Sequence, residues 1–348
     1  MGPPDSDTDS DGAGRIPPNV LVSIVAEEEE SRRRLHRHVD DARGCGASES
    51  QASLSDASAR KRAQDASGHA PPVPSSNKQA KRDASSDSQP LAVLVTGGSQ
   101  GIGLAIAKKY LAEGARVVVA SRSADKAKTQ IPDELLPRVF FVSKDLTTAQ
   151  GCRECVEEAA VLLGGCLDVV VNNAGAGVLG KNITSTSVED WDAAFNINLR
   201  SYMLVTQAAL PFLEASKGAV VNMSGVAAHR PFTSMLPYCC AKAGVEMLTK
   251  CTALELAPRG VRVNSVAPGT IETDFLASAG LGTEGTESFL AESASCHPLG
   301  RIGQPTDVAE AVFFLGSSST SGFITGQSFM LDGGRTLALP SGNALKSS

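Results

Sequence analysis

From residue 90 onward, short unbroken apolar runs alternate with longer stretches carrying apolar residues at every third or fourth place; residues 1–89 show neither pattern. The unbroken runs cover 91–96, 116–120, 139–142, 167–171, 219–223, 261–267 and 327–331. They lack the in/out alternation of a strand with one wet face, so they predict strands buried on both faces, as in a parallel sheet. Helical spacing fills the gaps at 102–113, 148–163, 188–213, 236–257 and 306–315. Strands alternating with helices predict an α/β fold, a doubly wound parallel sheet of about seven strands. Such sheets take ligands at the C-terminal ends of their strands.

Composition changes the picture at the N-terminus. Residues 1–89 are dominated by Ser, Ala, Asp, Pro and Gly. A segment like that cannot bury enough apolar surface to offset the entropy of ordering it, so it is expected to be a disordered tail. The folded domain is expected over 90–336, with a short C-terminal tail over 337–348. A net charge of −6 without a basic patch argues against a nucleic-acid partner. No stretch reaches the roughly 20 apolar residues of a membrane helix. The acidic Asp5, Asp7, Asp9 and Asp11 argue against a signal or transit peptide. A cytoplasmic location is expected, with organelle import through the Ser/Ala/Arg-rich stretch 42–89 as the alternative. Eight cysteines fall mostly in periodic segments and predict reduced thiols rather than a disulfide framework. The Cys152/Cys155 pair has no second pair to complete a metal site, so no metal is expected.

Candidate chemistry begins where the first predicted strand meets the first predicted helix, at Thr96-Gly97-Gly98-Ser99-Gln100-Gly101-Ile102-Gly103. Glycine suits a tight turn whose backbone must approach a pyrophosphate, and the following helix aims unpaired amides at the anion. The second strand ends in Ser121-Arg122, where an acidic residue would be needed to hold the ribose hydroxyls of NAD(H). A guanidinium there pairs instead with a 2′-phosphate, a charge-assisted contact of about 1.5–3 kcal/mol. Tyr238 and Lys242 are four residues apart at the start of a predicted helix, which brings them onto one face. A nearby ammonium favours the phenolate and moves a tyrosine toward acid/base work near neutral pH.

The TGxxxGIG spacing, Asn172-Asn173-Ala174-Gly175 after the fourth strand and Tyr238-x-x-x-Lys242 resemble the classical short-chain dehydrogenase/reductase family. The resemblance runs almost continuously over 91–335. Its ending, with Gly303-Gln304-Pro305 and Asp332-Gly333-Gly334, is similar to the beta-ketoacyl carrier-protein reductases and to glucose-dehydrogenase-like and tropinone-reductase-like members. It implies a Rossmann fold and an NADP(H)-dependent oxidoreductase interconverting a small-molecule carbonyl and a secondary alcohol, with NADP(H) in preference to NAD(H). It also implies a homotetramer built by the final strand and the two long helices. By the same resemblance Gly97, Ser99, Gln100, Gly101, Ile102, Gly103, Ser121 and Arg122 hold the cofactor, and Asp145-Leu146 contacts the adenine. Asn172, Ala174 and Gly175 steady the sheet and lie against the cofactor, and Pro268, Gly269, Ile271 and Thr273 lie over the nicotinamide. Tyr238 becomes the acid/base, Lys242 its partner and a ribose ligand, and Asn198 the organiser of a proton-relay water. Gln100 departs from the pattern, since many NADP-binding relatives carry Arg or Lys in the glycine loop. Residues 272–296, with Gly280, Gly282 and Gly285, resemble the mobile substrate lid.

The orienting serine is out of place. Thirteen residues before Tyr238, where the family carries it, stands Gly225; the nearest hydroxyl is Ser224. Adjacent residues at a strand end face opposite sides. Losing one oxyanion-type donor costs about 2.7–4 kcal/mol, or 100- to 1000-fold in rate. Two readings stand: an active oxidoreductase using Ser224, with Thr233 and Ser234 as weaker substitutes, or a catalytically impaired nucleotide-binding scaffold. Cys239 and Cys240 are expected to pack a helix rather than switch, and His229 to be structural.

Overall fold

The computed structural model describes residues 90–275 and 282–338. The tail expected over 1–89 and residues 339–348 of the expected C-terminal tail lie outside the described residues, as does Gly280 in the expected lid.

Seven parallel strands form one sheet: β1 (Ala92–Thr96), β2 (Arg116–Ser121), β3 (Val139–Ser143), β4 (Val169–Asn172), β5 (Ala219–Met223), β6 (Arg262–Pro268) and β7 (Ser328–Leu331), in the order β3-β2-β1-β4-β5-β6-β7. The order reverses between β1 and β4, which opens a crevice at their C-terminal ends. Within β1, Val93 and Val95 join one hydrophobic cluster while Ala92 and Leu94 join another, and β2 divides in the same way. That two-sided burial is why the strands read as unbroken apolar runs.

Helices α1 (Gly101–Ala112) and α7 (Pro305–Gly316) cover one face through Ile106, Ala107, Val308 and Val312. On the other face lie α2 (Ala149–Leu162), α4 (Ser201–Ser216) and α5 (Leu236–Leu256), contributing Val156, Ala159, Val205, Ala209 and Ala253. Burying each such valine stabilises the fold by about 1.5–3 kcal/mol.

The helix expected over 188–213 is interrupted. Its first part, α3 (Val188–Phe195), is capped by Ser187 and Asp190 in a reciprocal box, and a π turn over Asn196–Arg200 separates it from α4. One residue of extra winding leaves apolar spacing nearly intact, so periodicity does not register it. Helix α6 (Gly282–Ser295) occupies part of the segment expected as a lid.

Candidate active site

The turn after β1 is shaped by two glycines. Gly97 adopts a φ of +65°, and a Cβ on it would sit 2.7 Å from Ala174 Cα. A Cβ on Gly103 would sit 2.3 Å from the Gly97 carbonyl oxygen. Thr96 locks this turn to the one after β4. Its Oγ1 accepts from the backbone N–H of Asn173 (3.0 Å) and Ala174 (3.1 Å) and donates to the Val171 carbonyl (3.1 Å). Asn173 returns Nδ2 to the carbonyls of Thr96 (3.0 Å) and Gly97 (3.1 Å). Helix α1 then starts with no side-chain cap from Gln100 and no acid in its first turn, so its leading amides and positive dipole end stay available to an anion. A backbone cradle that no Cβ could enter, ending on free amides, fits a dinucleotide pyrophosphate.

A cleft of about 1770 Å3 runs from this turn in two directions. One end is lined by Ser121, Arg122, Lys126, Lys144, Asp145 and Leu146. Asp145 is turned inward to its own loop, accepting from the Thr147 N–H (3.0 Å) and Oγ1 (2.8 Å), which holds its carboxyl below the ordinary value. Lys144 is occupied by Glu154 at 3.0 Å and Glu158 at 3.4 Å. Arg122 and Lys126 are exposed and form no ion pair among the described residues. Lys126 was not singled out in the sequence; its spacing of four from Arg122 was the available signal.

The other direction leads past Asn173, Ala174 and Gly175 to Tyr238, Lys242 and the segment Pro268, Gly269, Ile271 and Thr273, all lining the cleft. Tyr238 and Lys242 start α5 on one face. The Lys242 ammonium is 3% exposed and donates to the Met223 carbonyl (2.7 Å) and to the Tyr202 hydroxyl (3.3 Å). It lies 5.7 Å from the Tyr238 ring centroid. Burial pulls Lys242 down to about 7, against the opposing pull of Glu246 one turn along α5. Burial pushes the Tyr238 phenol above its ordinary value, so in this arrangement desolvation outweighs any help from the lysine. Tyr202, itself fully buried and donating to Met223 O (3.2 Å), is a neighbour of the pair that sequence reasoning did not find.

Asn198 sits in the π turn and closes a two-way clasp with Ala176. Its Oδ1 accepts from the Ala176 N–H (3.2 Å), and its Nδ2 donates to the carbonyls of Ala176 (3.0 Å) and Ala194 (2.9 Å). Ser224 and Gly225 also line the cleft. The Ser224 hydroxyl, the group expected to orient substrate, is buried without a hydrogen-bond partner.

Asn172 is expected both to steady the sheet and to lie against the cofactor, and the structure shows it in the first role. Asn172 does not line the cleft: it is fully buried, with Nδ2 donating to Thr206 Oγ1 (3.0 Å) and Asn222 Oδ1 (2.9 Å). It cross-ties β4, β5 and α4, and Asn173 takes the place at the cleft. The other residues expected to hold the cofactor, Gly97, Ser99, Gln100, Gly101, Ile102, Gly103, Ser121, Arg122, Asp145, Leu146, Ala174 and Gly175, all line it. His229 is outside the lining, with Nε2 3.4 Å from Ser328 Oγ and 3.5 Å from Glu246 Oε1. Cys152 and Cys155 are buried thiols that burial raises to about 11 and about 12, the opposite of a reactive pair. Among the described residues no cluster could hold a metal ion, and no helix is long and apolar enough to cross a membrane.

A glycine cradle on an uncapped helix, placed in one cleft with a phenol and a buried ammonium, defines an oxidoreductase served by a nicotinamide dinucleotide. Comparison with known proteins agrees. A family model described as enoyl-(acyl carrier protein) reductase matches residues 97–336. The chain is 34% identical to an L-fucose dehydrogenase of Bos taurus over 245 residues, covering 70% of this chain and 89% of that one. It is 37% identical to a 3-oxoacyl-acyl-carrier-protein reductase of Thermotoga maritima, covering 69% and 96%. A solved short-chain dehydrogenase/reductase of unknown function from Caenorhabditis elegans, crystallised with cofactor, superposes with a TM-score of 0.66 at 32% identity, covering 72% of this chain and 96% of that one. The chain belongs to the classical short-chain dehydrogenase/reductase family.

Proposed function

We propose that the protein is an NADP(H)-dependent oxidoreductase that interconverts a carbonyl and a secondary alcohol. The observation that carries this reading is the single cleft joining the phosphate cradle and Arg122 at one end to Tyr238 and Lys242 at the other. When bound, the dinucleotide exchanges hydride at its nicotinamide ring. Tyr238 gives a proton to the developing alkoxide, or takes it in the reverse direction. Lys242, bonded here to the Met223 carbonyl, would hold the ribose of the dinucleotide, and its charge would favour the phenolate. Asn198 keeps the π turn open beside the cleft for a relay water. The preference for NADP(H) rests on Arg122, reinforced by Lys126, neither of them ion-paired among the described residues, and on the Asp145 carboxylate being bonded to Thr147.

Names of relatives point the same way, since the L-fucose dehydrogenase and the 3-oxoacyl-acyl-carrier-protein reductase are named for alcohol and ketone chemistry. Titration with NADPH and NADH, followed by turnover on a panel of ketones and alcohols, tests the reading. Tighter binding of NADPH together with turnover is expected; binding without turnover of any substrate sinks it. Gly225 favours a second reading, a nucleotide-binding scaffold with impaired catalysis, and that outcome would select it. We further read the chain as a homotetramer assembling through its sheet edge, where Phe329 and Met330 of β7 are 43% and 36% exposed. Light scattering on the purified protein tests this, and a monomer at micromolar concentration refutes it.

A further inference from the structure

The far end of the cleft holds a cation that the proposed chemistry does not use. Arg335 follows Gly333-Gly334 beyond β7, lines the cleft, and is only 8% exposed. Buried guanidinium groups are ordinarily paired with a carboxylate, because an unpaired buried charge is costly. Arg335 has no such partner among the described residues. Its nearest acid by sequence, Asp332, is consumed elsewhere: Oδ1 accepts from the Gly334 N–H (2.9 Å), and Oδ2 from the Thr336 N–H and hydroxyl (both 2.7 Å). Arg335 is held from three sides. It donates to Thr270 Oγ1, its guanidinium stands 5.2 Å from the Phe232 ring centroid, and Arg230 donates to its carbonyl at 3.3 Å.

These contacts fix the guanidinium without neutralising it. Thr270 supplies one acceptor for a group with five N–H donors. Burial, with a smaller contribution from the positive charge of Arg230, lowers the Arg335 pKa against the opposing pulls of Cys296 and Asp332. The position is also the right one for a substrate. Thr270 follows the Pro268-Gly269 segment, and Phe232 lies on the loop leading into the Tyr238 helix. The carboxylates that line the cleft, Asp145, Glu189, Asp192, Glu272, Asp274 and Glu287, are all exposed and therefore solvated, and Asp145 is bonded to Thr147. The other lining cations are Arg122, Lys126 and Lys144 at the Ser121 end, and Lys242, which is bonded to Met223 O.

We propose that Arg335 is the docking point for an anionic group on the substrate, so that the enzyme acts on carbonyl or alcohol compounds bearing a carboxylate, sulfonate or phosphate. This rests on the oxidoreductase reading for turnover, but not for binding. The guanidinium presents parallel N–H donors that match a two-oxygen anion. Docking it there would relieve the repulsion between Arg335 and Arg230, in the same cleft that Tyr238 lines.

The test has two arms. In the first, kcat/KM is measured with NADPH for pyruvate, acetoacetate and levulinate, each beside its methyl ester. The expected result is that the best acid is preferred over its ester by about 10- to 100-fold, the range of one charged hydrogen-bonding contact. In Arg335→Gln the preference should fall toward one, chiefly through KM, and Arg335→Lys should restore part of it. Equal use of acid and ester by the wild type overturns the proposal while leaving the oxidoreductase reading intact. In the second arm, calorimetry follows succinate binding to the full-length protein without turnover. Saturable binding that Arg335→Gln abolishes and Arg335→Lys retains supports the site even if no carbonyl compound is reduced. Absence of binding in the wild type, or equal binding by Arg335→Gln, overturns it. Circular dichroism and melting temperature establish that both variants are folded.

Discussion

Gly225→Ser adds a hydroxyl thirteen residues before Tyr238, and the local geometry sets its effect in advance. The backbone there is extended, with φ 168° and ψ 163°, a conformation open to any residue. A Cβ would meet nothing nearer than Ala227 N and Pro268 O, both at 3.9 Å. Steric cost is therefore absent, and restricting the unfolded chain raises stability by about 0.4–1 kcal/mol. A donor aimed at the substrate oxygen from this position is worth about 2.7–4 kcal/mol in the transition state, or 100- to 1000-fold in kcat/KM.

Ser224 supplies the control. Its hydroxyl is buried and unpartnered, so Ser224→Ala removes a group that lacks a hydrogen bond and should leave melting temperature equal or higher. Steady-state kinetics on wild type, the two single variants and the double variant complete the cycle. The expected pattern is a gain of two to three orders of magnitude in Gly225→Ser, on the scale of that single donor, and a change of only about a few-fold in Ser224→Ala. Refutation comes from the reverse pattern, a collapse in Ser224→Ala with no gain from a well-folded Gly225→Ser. That result would mean the Ser224 hydroxyl turns into the cleft during turnover.

Arg122→Glu should weaken NADPH by about 10- to 100-fold, because it removes a charged contact and places an acid against the 2′-phosphate; fluorescence titration should show NADH gaining at the same time. Gly103→Ala should lower stability by about 1–3 kcal/mol and impair binding of both dinucleotides, since its Cβ would sit 2.3 Å from Gly97 O and 2.5 Å from Asn173 Nδ2; a normal melting temperature would contradict the packing described. Lys242 titrates at about 7 in the fold against an ordinary 10.5, so between those pH values the unfolded chain holds a proton that the native state lacks. Stability of the cofactor-free protein should therefore rise with pH across that window, by up to about 1.4 kcal/mol per unit from this group. Chemical denaturation between pH 7 and 9.5 measures the slope, and Lys242→Met should flatten it.

The sheet was legible because each strand residue meets an apolar surface whichever way it points. Val93 and Leu94 enter different cores, yet both must be apolar, so runs without alternation announce the architecture. The glycine turn was legible for a related reason: Gly97 and Gly103 are imposed by backbone contacts that tolerate no side chain. The π turn at Asn196–Arg200 left no mark, since one extra residue in a helix barely shifts apolar spacing. Asn172 and Asn173 could not be told apart in sequence. Both are polar residues at a strand end, and only the fold shows one turning inward to Asn222 and the other toward Thr96 and Gly97.

Arg335 was illegible for a different reason. A lone arginine near a chain end reads as a solvated surface charge, and its burial arises only when the segment beyond β7 folds against Thr270 and Phe232, 65 residues or more away in sequence. The same logic governs the Ser224/Gly225 pair. Counting back from Tyr238 locates the position that should carry a hydroxyl, but whether a neighbouring hydroxyl can substitute depends on which way β5 ends. Here the strand closes with the Ser224 N–H donating to Val266 O at 2.8 Å, which fixes the peptide, and the hydroxyl is left buried and unpartnered. A Cβ at Gly225 would make only ordinary contacts, at 3.9 Å. With Tyr238 and Lys242 lining the same cleft, the donor that Gly225 lacks would have to come from the substrate or from a water. An anion anchored at Arg335 would hold such a substrate in register without help from a serine.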